Sequence, residues 1–259
     1  MNINAVKAVF LYEYLLLKSC PERLMFTFFW PIMNLLIWGY TAFFLNQNNI
    51  SNFGILLISA VILWSLISSS QFEISSPFLE KISRFQLRNF LISSMNITDY
   101  ILAITLVGLF KTILSFILLF LIALSLFSFN IFQFGWPLLF LIFNLYFFGW
   151  ILGLFLSSFM IFFGIRISFL NAPLAGLIMP FSCVFYSREV LSPFLKFFSW
   201  FLPPSYIFEN LRSFIFNQKF DLKEIIISFG LNLLFFVIAL LLFKFMFNLS
   251  LKKGRLAKV

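Results

Sequence analysis

From Met25 to Leu45 the chain runs 21 residues without a charged side chain, and from Phe53 to Phe72 it runs 20 more. A helix of that length rises about 30 Å, the thickness of a bilayer's hydrocarbon core, so such windows commit the chain to membrane-spanning helices. Comparable windows lie at Thr112–Phe129, Pro137–Phe163, Ile167–Tyr186 and Ile225–Phe243. The expected fold is all-α and polytopic, with six transmembrane helices in one domain over residues 1–259. Hydrophobic residues make up 62% and charged residues 10%, where soluble domains carry about 25% charge. The 43 phenylalanines stand beside leucine as lipid-compatible bulk, not as aromatic binding boxes.

Charge placement orients this fold. On the six-span layout one side receives Lys7, Lys18, Arg23, Lys81, Arg84, Arg88, Lys111, Arg166, Lys244, Lys252, Lys253, Arg255 and Lys258. The other receives Arg188, Lys196, Arg212, Lys219 and Lys223, all in its last segment. The richer side is cytoplasmic by the positive-inside rule, which puts both termini in the cytoplasm. The net charge of +9 is thereby explained by membrane topology, and no nucleic-acid partner is expected.

Residues 3–18 place Asn4, Lys7, Tyr14 and Lys18 on one arc of a helix, as in a helix lying in the membrane interface. Glu13 falls on the apolar side, where it either reaches headgroups or pairs with Arg84 or Arg88. No small-residue cleavage site follows, so this start is expected in the mature protein. Residues 73–100 gather Glu73, Glu80, Lys81, Arg84, Arg88 and Asp99, and EKISRFQLRNFLISS within them reads as a short amphipathic helix. Lys111 is expected to snorkel from the inner end of the third span. Gly149, Gly153 and Ser157 recur every fourth residue in the fourth span and form a close-packing face.

The stretch PFSCVFYSREVLSPFLKFFSWFLPPSYIFENLR, residues 180–212, is too broken to span and too apolar for a solvated loop. A re-entrant or interfacial hairpin over 187–212 is expected. The same stretch resembles the signature before the last span of type-2 ABC exporter (ABC-2 type) permeases. Pro180, Ser182, Phe185, Tyr186, Leu191, Pro193, Leu202, Pro203, Tyr206, Glu209 and Arg212 carry the likeness in order and spacing. It extends to FFWPIMNLLIWGY in the first span and RNFLISSMN after the second. Cys183 stands where the pattern has a small residue, Ser187 where it has proline, and Ser94-Met95 lacks a proline.

The resemblance implies a half-channel that pairs with a second permease copy and with cytoplasmic ATPase subunits. Lys81, Arg84, Phe85, Arg88 and Asn89 would then couple to the ATPase through a coupling helix. Phe185, Tyr186, Pro193, Pro203, Tyr206, Glu209 and Arg212 would belong to an outer re-entrant gate. Glu209 and Arg212, three apart on a helix, are read as a local ion pair or as the tie that holds the hairpin.

Elsewhere chemistry is sparse. There is no histidine, only Cys20 and Cys183, and no phosphate-binding glycine loop. Those thiols are expected on opposite faces, unpaired. No metal site, catalytic residue or nucleotide site is expected on this chain; ATP and its magnesium would sit on the partner. Span interiors read as free of ionisable groups, which removes the natural residues of a proton-coupled carrier. The expectation is therefore an exporter permease of the bacterial-type inner membrane, not itself an enzyme, moving a lipid-linked, glycan or amphipathic molecule outward. A non-transporting scaffold or assembly factor is the alternative, and a lipid enzyme built on the acidic outer residues a third.

Overall fold

A computed structural model describes residues 3–19, 25–47, 51–83 and 97–253. Nine α-helices and several short 3₁₀ or π turns occur among them, with no strand. They are α1 Ile3–Ser19, α2 Trp30–Gln47, α3 Ser51–Ser83, α4 Ile97–Phe127, α5 Pro137–Phe163, α6 Leu174–Ile178, α7 Pro193–Ser199, α8 Pro203–Asn217 and α9 Leu222–Lys252.

Among the described residues five helical stretches are long and apolar enough to cross a membrane: Thr27–Gln47, Asn52–Ile82, Asp99–Phe127, Pro137–Leu170 and Leu222–Lys252. The protein is thus a polytopic helical membrane protein by length and composition. Over its most apolar window α3 is 83% buried, against 22% for the windows of α2 and α9, so α3 is the central rod. The outer helices present Tyr40, Phe43, Leu139, Phe143, Leu234 and Leu241 outward, as helices bathed in lipid do.

The boundaries differ most from the sequence windows in three places, each for a physical reason. The second window stops short of Glu73, yet α3 continues to Ser83, because Glu73 is paired with Lys111 inside the bundle. Pro77 sits within that continuation and removes the N–H that the Glu73 carbonyl would otherwise bind. The third window begins after Lys111, yet α4 begins at Ile97, with Lys111 near its middle. The window at 167–186 is not one helix. It is a 3₁₀ turn Gly164–Leu170, the five-residue α6 and a 3₁₀ turn Met179–Phe181, because Pro173, Gly176 and Pro180 interrupt it.

Local signals set the other ends. A π turn Met25–Phe29 precedes α2, whose second residue is Pro31, a position where the missing N–H costs little. Pro137 opens α5, and Gly164 ends it at φ 70°, a conformation glycine adopts without strain. Asp221 caps α9 by accepting the Lys223 N–H at 2.8 Å.

Two apolar cores sit at opposite ends of α3. One joins Leu56, Leu63 and Ile67 to Leu35, Leu119, Leu145 and the α8 residues Ile207, Phe208 and Leu211. The other joins Ile74, Phe78 and Ile82 to Val9, Tyr100, Ile104, Leu154 and Phe243. Between them α5 lies against α3 at Gly149 and Gly153. A Cβ at Gly149 would come within 2.5 Å of the Ile67 carbonyl oxygen, and one at Gly153 within 2.7 Å of the Gln71 carbonyl oxygen. The small-residue face therefore packs inside the chain, and Ser157 folds its hydroxyl back to the Gly153 carbonyl at 2.7 Å.

Candidate functional site

The segment between α6 and α9 is held by two arginines and one carboxylate. The Glu209 carboxylate accepts the Arg188 backbone N–H through Oε1 and pairs with Arg212 Nη1 through Oε2 at 2.9 Å. Arg212 Nη2 donates to the carbonyls of Cys183 at 2.9 Å and Tyr186 at 2.7 Å. Glu209 and Arg212 thus combine the local ion pair with a long-range tie that closes the chain from 183 to 212. Guanidinium geometry makes this possible, since one planar group meets a carboxylate and two carbonyls at once.

Arg188 is itself buried. Its guanidinium carbon lies 4.1 Å from the Trp200 ring centroid and 4.6 Å from that of Tyr206, and Nη2 donates to Ser205 Oγ at 3.0 Å. The aromatic faces supply the cation with partial compensation for lost water. Tyr206 donates its hydroxyl to the Trp200 carbonyl at 2.9 Å. Burial pushes this phenol above its ordinary range, against the opposing pull of Arg188, so it remains a neutral donor. Tyr186 donates to the Pro180 carbonyl at 2.6 Å.

Prolines shape the turns. Pro193 opens α7 and Pro203 and Pro204 open α8, where their missing N–H groups belong to the unsatisfied first turn. Cys183, a fully buried free thiol, turns the chain at φ 54°. α8 is then locked to its neighbours. The Asn210 amide donates to the Asp221 carbonyl at 2.6 Å, and the Ser228 hydroxyl of α9 lies 2.8 Å from both the Pro203 carbonyl and Asn144 Oδ1 of α5. Phe185 stacks on Trp38 of α2 at 4.5 Å, and Phe208 meets Trp64 of α3 at 6.0 Å.

The sequence-predicted gate residues are therefore brought together, except that Pro193 stands exposed at the start of α7. Of the expected coupling residues, Lys81 lies in the last turn of α3 with its ammonium 3.9 Å from the Tyr100 ring centroid. Arg84, Phe85, Arg88 and Asn89 lie outside the described residues, as does Cys20.

Sequence reasoning missed a buried charge cluster at the other end of α3. Lys111 Nζ lies 3.0 Å from Glu13 Oε2 and 2.9 Å from Glu73 Oε2. Thr27 Oγ1 donates to Glu73 Oε1 at 2.6 Å, and Ser115 Oγ donates to the Thr27 carbonyl at 2.9 Å. Glu13, Glu73 and Lys111 are all buried. The expectation that span interiors lack ionisable groups is corrected here, and Glu13 is paired with Lys111. The signal was present: one acid on the apolar side of α1 needed a buried cation, and Lys111 is flanked by long apolar runs on both sides.

A second polar knot fastens the turn after α5 to α3. Gln71 Nε2 donates to the Asn171 carbonyl at 3.1 Å, and Ser75 Oγ donates to Asn171 Oδ1 at 2.5 Å. Beside it a cavity of about 390 Å³ opens between α2, α3 and α6. Among the described residues no group of histidine, cysteine or acidic side chains is arranged to hold a metal ion. No protein-family model matches the chain, and no curated protein matches it.

Proposed function

We propose that this chain is the transmembrane permease subunit of an ATP-binding cassette exporter, carrying a lipid-linked, glycan or amphipathic molecule outward with a separate ATPase as motor. The observation that carries this reading is the span of α3. Its 33 residues reach about 50 Å. Its first half packs on α8, where Phe53 meets Phe216 and Trp64 meets Phe208, and its last turn, at Lys81, leads into the segment whose sequence resembles a coupling helix. A displacement delivered below α3 would thereby reach the hairpin without passing through a loop. Such a rigid element is what a motor protein needs if it is to move a distant gate.

Arg84→Glu with Arg88→Glu tests this directly. Recovery of an ATPase partner with the tagged chain should fall severalfold, and recovery equal to wild type would count against the exporter reading. A second reading, a proton-coupled carrier, is favoured by the buried Glu13–Lys111–Glu73 cluster, because ionisable groups at membrane depth commonly mark ion pathways. Transport abolished by a protonophore at constant ATP would favour that reading. Transport that follows ATP and ignores the protonophore would favour the first.

A further inference from the structure

We infer that the cavity between α2, α3 and α6 binds the uncharged, hydroxylated portion of an amphiphile, of the kind an alkyl glycoside presents. That this ligand is the cargo rests on the exporter reading; that it binds does not.

The cavity's volume, about 390 Å³, falls within the roughly 300–1,000 Å³ of small-molecule sites. Among the described residues no charged side chain lines it. An ionic headgroup entering it would leave water and meet no counter-charge, which is costly. The polar lining is mixed in a particular way. Asn34 Nδ2 already donates to the Trp30 carbonyl at 3.1 Å, which leaves its Oδ1 to accept. The hydroxyl of Ser65 donates to the Ile62 carbonyl at 2.6 Å, and that of Ser68 to the Ser65 carbonyl at 3.2 Å. Both keep lone pairs to accept. Trp30, Trp38 and Trp64 line the same cavity with their indole rings.

Uncharged acceptors in a lining without counter-charge suit a group that donates while staying neutral. A hydroxyl is such a group; a phosphate or carboxylate only accepts, and an ammonium donates but brings a charge. The tryptophan rings add flat apolar surface for the C–H face of a polyol ring. Trp38, one of the lining residues, also stacks on Phe185, so the cavity and the hairpin beyond it share a side chain.

The test uses the full chain in lipid nanodiscs and an alkyl β-glucoside carrying a diazirine in its chain. Cross-links should map to α2 and α3 around Trp64–Ser68. Unlabelled alkyl glucoside should compete at least about tenfold better than an alkyl sulfate or alkyl phosphocholine of equal chain length. Ser65→Ala with Ser68→Ala, which removes two acceptors and little volume, should lower labelling about tenfold. Asn34→Asp, which puts an anionic acceptor into the lining, should shift the preferred competitor to an alkyltrimethylammonium. Equal competition by all three amphiphiles, or undiminished labelling of the serine double variant, would mean that lipid chains merely fill an apolar void and overturns the proposal. Absence of labelling in the unmutated chain with ATPase recovery intact removes the glycoside site and leaves the exporter reading. Specific labelling in a chain that captures no ATPase keeps the site and removes that reading.

Discussion

Two buried carboxylates converge on the single ammonium of Lys111. Removing one partner of such a group leaves uncompensated charge and costs about 3–5 kcal/mol, whereas replacing the whole set with apolar groups can be nearly neutral. Lys111→Met should therefore lower the thermal midpoint in detergent sharply, and combining it with Glu13→Gln and Glu73→Gln should recover most of the loss. A triple variant as unstable as the single one would show that the cluster is not a closed unit. Cys183 tests the backbone instead. An L-residue in the left-handed region costs about 1–2 kcal/mol, and the resembled pattern has a small residue there. Cys183→Gly should match or exceed wild-type stability, while Cys183→Val, branched at Cβ, should fall well below it on the same melting curve. The small-residue preference at 183 was legible in the motif; of the ion cluster only Glu13's need of a cation was, since hydropathy windows score each charge alone and these three meet only after α1, α3 and α4 pack.

At the scale of elements, the long helices could be found from apolar windows but not bounded by them. A window stops at the first charge, and here Glu73 and Lys111 lie inside helices that continue on either side. Proline and glycine were better guides: Pro173, Gly176 and Pro180 marked where a sixth long helix would fail, and Pro193 and Pro203 marked helix starts. The α3–α5 contact follows from two glycines. At Gly149 the nearest atoms to an added Cβ include backbone of Ile67, at 2.5 and 2.8 Å, and backbone cannot rotate aside as a side chain can. Gly149→Ala should force the helices apart and destabilise the chain by about 1–3 kcal/mol, the usual cost of overpacking. Gly39→Ala meets only the ring of Phe127, which can swing toward lipid, so it should cost less. Melting curves of the two variants in one detergent decide the order.

For the whole molecule, the two cores at the ends of α3 imply that motion at one end is felt at the other, provided the rod does not bend. Pro77 is where it is weakest, yet Glu73, whose carbonyl it leaves without its helical partner, lies against Gly108 of α4, where an added Cβ would stand 3.2 Å from that of Glu73. Close packing there braces the point at which a backbone hydrogen bond is missing. On the proposed exporter function, the hairpin should respond to nucleotide only when a motor is bound beneath. A cysteine at Phe201, half-exposed in the turn between α7 and α8, in a background with Cys20→Ser, reports this because Cys183 is fully buried. Its labelling by a membrane-impermeant maleimide should proceed from the outer face and change severalfold when a non-hydrolysable ATP analogue is added to the chain with its ATPase. The chain alone should show no change. Stiffening the link by Pro77→Ala should preserve or enlarge the difference, since it restores the missing hydrogen bond in the middle of the path. A rate indifferent to nucleotide in the presence of the ATPase would instead favour a scaffold that binds a motor without being moved by it.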